Sequence, residues 1–109
     1  MAETVLEGWS EAEQAVAKEA FERAYGRAID QLIKNVRSCS DTLSSAEDVW
    51  ALHDFLSSER HTMEGRFDFR LDGILFVFAS LIKDDLLKLD ELDGLTADKL
   101  SKVAAMARF

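Results

Sequence analysis

The stretch Ser10-Glu-Ala-Glu-Gln-Ala-Val-Ala-Lys-Glu-Ala-Phe-Glu-Arg-Ala-Tyr-Gly-Arg-Ala-Ile-Asp-Gln-Leu-Ile-Lys-Asn-Val-Arg37 decides the fold. Ser10-Glu11-Ala12-Glu13 opens it as a capping box, the serine oxygen accepting from first-turn N–H groups while the glutamate reaches back. From there to about Arg37 only Gly26 weakens the helical pattern. Phe21, Tyr25, Ile29, Leu32, Ile33 and Val36 recur at helical spacing as a bulky stripe. Ala17, Ala20, Ala24 and Ala28 form a strip of small residues beside it. Together they span an apolar arc of about 220°, wider than one neighbouring helix needs. Glu19, Arg23, Arg27, Asp30, Lys34 and Arg37 hold the remaining face. So long a helix, apolar on two adjoining sides in a chain of 109 residues, points to a second copy as its extra partner, a homodimer.

Outward from this helix, Ser38 to Ser45 is polar and serine-rich and reads as a turn. Ser44-Ser45-Ala46-Glu47 caps a second helix, and Gly65 is placed to end it as a left-handed C′ residue. The short connection predicts antiparallel packing of helices one and two. A third helix is expected from about Phe67 to Leu89. Leu71, Ile74, Leu75, Phe78, Leu81, Ile82, Leu86 and Leu89 keep helical spacing over a length too great for a strand. Asp93-Gly94 is the next turn and Thr96 the N-cap of a fourth helix, with Leu100, Val103, Ala104 and Ala107 inward. The expected fold is all-α, a single domain of about four helices. In it a long antiparallel hairpin (about 10–64) carries a small helical head (about 66–109) and dimerises through the hairpins.

Composition narrows the function classes. The chain lacks proline and has five glycines, which suits uninterrupted helices. A net charge of −8 repels phosphate backbones and anionic lipid, against nucleic-acid binding and electrostatic membrane docking. The single Cys39 forms no internal disulfide and fits a reducing cytoplasm. Met1 to Gly8 shows no basic region followed by an apolar run, so no signal peptide is expected. The longest apolar run, Gly73 to Ile82, is about half of what a bilayer requires.

On the second helix Val49, Leu52, Leu56 and Met63 share one side, while Trp50, His53, Asp54, Ser57, Arg60 and His61 share an arc of about 120°. A large ring, two imidazoles, a short carboxylate and a guanidinium make a recognition surface. The bland alternative wedges Trp50 between helices and leaves Asp54 and Arg60 as surface charges. Antiparallel two-fold packing could also bring Asp54 of one copy near Arg60 of the other. The same letters do not make a hydrolase triad: adjacent His53 and Asp54 point about 100° apart and no glycine-rich turn offers an oxyanion hole. His53 and His61 lie about 12 Å apart along the axis, too far to share a metal ion. Neither a catalytic site nor a cofactor is expected.

Phe76 falls about 140° from the centre of the third apolar stripe, with Phe69, Gly73, Ser80, Lys83 and Leu87. Phe69, Phe76 and Leu87 would then form a docking patch facing away from the core, unless helix two or four covers them. Lys102 lies opposite the inner stripe of helix four, exposed as a cationic rim.

Four blocks in order carry a resemblance. They are Trp9-Ser10-x-Ala12-Glu13, then Trp50-x-Leu52-His53-Asp54-Phe55-Leu56-Ser57-x-x-Arg60-His61, then Phe76-Val77-Phe78-Ala79, then Ala97-Asp98-Lys99-x-Ser101-Lys102. In these the chain resembles the fluorescence recovery proteins of cyanobacteria. Ile33 stands where that family suggests leucine at the dimer contact, and Phe67-Asp68-Phe69-Arg70 is more apolar than its pattern. The resemblance implies a homodimer whose partner is the orange carotenoid protein, a photoreceptor that quenches phycobilisome excitation in its red form. The family binds mainly that photoreceptor's C-terminal domain and speeds its return to the orange form. By match, Trp50, Asp54 and Arg60 belong to the patch around the dimer centre and Ile33 to the dimer contact, while Phe76 and Lys102 on the head bind the partner together with Trp50, His53, Asp54 and Arg60. The implied location is the cytoplasm, with association at the thylakoid surface left open. The rival readings are a generic dimeric helical adaptor and a small helical enzyme of the chorismate mutase kind. The enzyme would have to gather cations around a dicarboxylate, and here the basic residues are dispersed.

Overall fold

The computed structural model describes residues 8–109. The expectation about a signal peptide rests largely on Met1 to Glu7, outside the described residues. Among those described, the chain is all-α, with no β-strand: α1 (Glu11–Asp41), α2 (Ala46–Arg66), α3 (Ile74–Lys83), a 3₁₀ turn (Leu89–Leu92) and α4 (Ala97–Ala107).

Local chemistry explains three of the four starts. At α1 the Glu13 N–H donates to Ser10 Oγ at 3.1 Å and the Ser10 N–H to Glu13 Oε1 at 3.3 Å, the reciprocal capping box. At α2 the Asp48 N–H donates to Ser45 Oγ, and the Asp48 carboxylate accepts from the Ser44 N–H and hydroxyl. Those Ser44 bonds hold the Asp48 carboxyl below its usual range. At α4 the Lys99 N–H donates to Thr96 Oγ1.

Two ends differ modestly from expectation. α1 runs on to Asp41 rather than Arg37, because the Thr42 N–H and hydroxyl both donate to the Cys39 carbonyl and supply partners that the last turn lacks. α2 ends at Arg66 without a left-handed glycine: Gly65 lies within the helix, and the Phe67 N–H closes on the Met63 carbonyl.

The third helix is the substantial correction. It spans Ile74–Lys83, less than half of the Phe67–Leu89 segment. Gly73, at φ +81°, breaks the chain ahead of it. Behind it, Asp85 sits at φ +61°, the Leu86 N–H reaches the Leu81 carbonyl and the Asp85 N–H the Ile82 carbonyl. This is a Schellman ending with an aspartate in the position that glycine usually fills, and Leu86 and Leu81 are both buried across it. The apolar spacing is therefore real but distributed over a loop, a helix, a turn and a 3₁₀ segment. Because a left-handed aspartate is strained, Asp85→Gly is expected to raise stability by about 0.5–1 kcal/mol. Thermal denaturation should show a rise of several degrees, and an unchanged or lower midpoint would remove the strain.

The described residues form two compact units. One joins α1 up to Tyr25 with Phe69–Phe109. Here α3 packs on α4, and Ile74, Phe78, Leu81, Leu92 and Val103 are fully buried. The alanine strip supplies Ala17, Ala20 and Ala24 to this core. Gly94 (φ +114°) passes so close to α1 that a Cβ there would meet Val16 Cγ2 at 2.8 Å, so the small residue is required at the Asp93-Gly94 turn.

The other unit is Gly26–Asp68: the rest of α1, the Thr42–Ser45 connection and α2. It is nearly coreless. No residue of α2 is buried, and in α1 from Gly26 onward only Ala28 is. Ile33, Leu43, Val49, Trp50 and Leu56 are exposed. An open cleft of about 280 Å³ lies where α1 hands over to α2, between Cys39, Leu43, Leu52 and Phe55.

Candidate functional site

The residues singled out from sequence fall in both units. Phe76 and Lys102 belong to the first; Ile33, Trp50, His53, Asp54 and Arg60 belong to the second.

Phe76 is 70% exposed on a helix whose opposite side, Ile74, Phe78, Ala79 and Leu81, is buried. Helix four, in the same unit, does not cover it. Its two expected companions differ. Leu87 is buried, because the helix that would have turned it outward has already ended. Phe69 sets its ring edge-on to Phe21, centroids 5.1 Å apart. Of the expected three-residue patch, Leu87 is lost to the core, Phe69 keeps an exposed edge and Phe76 stands uncovered. Lys102 is exposed as expected, its ammonium 3.3 Å from Asp98 one turn back. Such exposed pairs contribute little and leave the cation accessible.

Trp50 is 64% exposed, so it is not wedged between helices within one chain. Its ring meets the His53 ring edge-on at 6.2 Å. His53 Nδ1 and Asp54 Oδ1 approach to 3.3 Å, a contact that helix geometry alone argues against. Both side chains are largely in solvent, which keeps the pair weak. Arg60 donates from Nε to Glu64 at 3.2 Å. Ile33 is 43% exposed, a large aliphatic side chain without cover. Aromatic, imidazole, carboxylate and guanidinium thus share one open helix surface, suited to contact with another macromolecule.

Sequence reasoning missed a buried polar clasp in the first unit. The Glu13 carboxylate accepts from the Thr96 N–H at 2.9 Å and from the Lys99 ammonium at 3.1 Å to both oxygens. The same ammonium donates to the Gly8 carbonyl and lies 4.7 Å from the centre of the Trp9 ring. The side chains of Glu13 and Lys99 are only 8% and 12% exposed. Burial by itself raises the Glu13 carboxyl, yet the Thr96 N–H, Lys99 and the Ser10 N–H outweigh it and hold it below the ordinary glutamate value. One sequence signal was available: Lys99 sits in the first turn of α4, where the helix dipole disfavours a cation unless it has a partner. A second link joins α1 to the 3₁₀ turn, Arg23 bridging Glu19 at 3.0 Å and Glu91 at 3.2 Å. Among the described residues no cluster of His, Cys, Asp and Glu could hold a metal ion, and no helix is long and apolar enough to cross a membrane.

The family model of the photoprotection regulator fluorescence recovery protein matches residues 9–107. The fluorescence recovery protein of Synechocystis is 43% identical over 108 residues, 99% of each chain. The solved structure from Fremyella diplosiphon superposes with a TM-score of 0.88 at 48% identity, and that from Synechocystis with 0.87 at 44%. Each covers 93% of this chain and 99% of its own. With the blocks around Trp9, Trp50, Phe76 and Lys102 all inside the matched span, the chain belongs to the fluorescence recovery protein family of photoprotection regulators.

Proposed function

We propose that this protein binds the red, photoactivated form of the orange carotenoid protein, mainly through that photoreceptor's C-terminal domain, and accelerates its return to the orange form. Phycobilisome quenching then ends and antenna fluorescence recovers. The observation that carries this reading is membership of a family of photoprotection regulators across residues 9–107. The uncovered Phe76 supports it, since a strongly exposed aromatic in the same unit as the accessible Lys102 suits a protein partner. A homodimer is part of the proposal: no residue of α2 is fully buried within one chain, and a second copy laid on Ile33, Val49, Trp50 and Leu56 would cover it. Asp54 and Arg60 would then lie near the two-fold centre.

The chemistry is conformational and non-enzymatic, and it takes place in the cytoplasm. To speed relaxation, the protein must bind the reassembly transition state of the photoreceptor more tightly than its open red form. The carotenoid belongs to the partner, and no cofactor of this chain takes part.

Dark recovery of the photoconverted photoreceptor, followed by absorbance, tests the proposal. Substoichiometric protein should accelerate recovery with turnover. An unchanged rate would overturn it in favour of a helical adaptor for another partner.

A further inference from the structure

The clasp around Glu13 contains more polar machinery than a core contact between two helices needs. A buried ion pair is weak support for stability, because desolvation of both charges offsets their attraction. Lys99 is also placed against the dipole of its own helix. What the arrangement supplies is direction. One ammonium is fixed from three sides, by the Glu13 carboxylate, the Gly8 carbonyl and the Trp9 ring face. The same carboxylate takes the backbone N–H groups at the starts of both α1 and α4. Together with the packing of Val103 on α3, these bonds fix the rotation of α4 about its axis as well as its distance from α1. Lys102 lies three residues beyond Lys99, one turn along, so that rotation determines where its ammonium points.

We infer that the Glu13–Lys99 pair is a positioning element for Lys102: it locks α4 in the rotation that presents the Lys102 ammonium to the partner. This rests on the proposed function, and Lys99 itself touches no partner because it is turned inward.

The test combines the paired replacement Glu13→Gln with Lys99→Met, alone and together with Lys102→Ala, in the full chain. Affinity for the photoconverted photoreceptor is read by titration, and stability by thermal melting. Removing both charges together should leave the melt close to that of the parent chain. Affinity should nevertheless fall about tenfold, and the paired change should add little once Lys102 is alanine. Unchanged affinity overturns the inference, as does an effect that simply adds to that of Lys102→Ala. If the paired variant does not fold, Lys99→Arg, which keeps a cation opposite Glu13 but at a different reach, carries the same two criteria. Failure of the parent chain to bind the photoreceptor overturns the proposed function instead, so the two are told apart by the first titration.

Discussion

Phe76→Asp is expected to weaken binding to the red photoreceptor by about 30- to 700-fold while leaving the fold and the proposed dimer intact. The magnitude follows from the usual cost of removing a central aromatic anchor, about 2–4 kcal/mol, at 1.4 kcal/mol per factor of ten. The carboxylate adds to it by carrying a charge into a surface that binding would dry. The selectivity follows from position. Phe76 is 70% exposed, and the side chains that hold α3 in place, Ile74, Phe78 and Leu81, face the other way. Substitutions at such positions normally change stability by no more than about 0.5 kcal/mol. Light scattering, a thermal melt and a titration of the photoconverted photoreceptor read the three quantities separately. Retained affinity would take Phe76 out of the docking surface; a lowered melt would mean that its ring supports the core after all.

How far this could be read from the sequence depended on whether each signal is local. The starts of α1, α2 and α4 are written in caps of a few residues, Ser10 with Glu13, Ser45 with Asp48, and Thr96, and all three stand where the pattern puts them. The ends of α3 are set by backbone conformation. Gly73 is an ambiguous signal within an apolar run, and Asp85 gives none, since few aspartates adopt a positive φ. Periodicity then ran through both breaks and carried Leu87 to the wrong side. Phe76 was legible because it lies inside the true helix, where the 100° rule holds. The Glu13–Lys99 clasp was not, because its partners are separated by 86 positions and neither residue type announces burial. The contact of His53 with Asp54 escaped for a smaller reason: side-chain torsions of two exposed neighbours can close a gap that their Cβ directions open.

Ile33→Glu is expected to convert the protein to monomers, and to cost α2 much of its helix in doing so. In a two-fold interface one substitution places two carboxylates, one from each copy, into the same dry seam. At no less than about 2 kcal/mol for each unsatisfied group, dimerisation should weaken by roughly a thousandfold or more. The second effect follows from what α2 lacks. None of its 21 residues is fully buried, with Leu52, Phe55 and Met63 only half-buried, and an isolated helix without alanine-rich composition is marginal in water. In the proposed dimer its order would depend on the second copy, and folding of Gly26–Asp68 and dimerisation would form one linked equilibrium. The unit containing α3 and α4 has its own buried core and should survive. Light scattering at micromolar concentration should therefore report the mass of one chain, and circular dichroism a loss of helix confined to part of the signal. Ile33→Leu, which keeps the apolar volume, should remain dimeric. A dimer that persists with glutamate at this position would move the seam to another face of α1. A monomer with undiminished helix would mean that α2 is ordered by its own chain, and that the open cleft beside Leu52 and Phe55 closes without help.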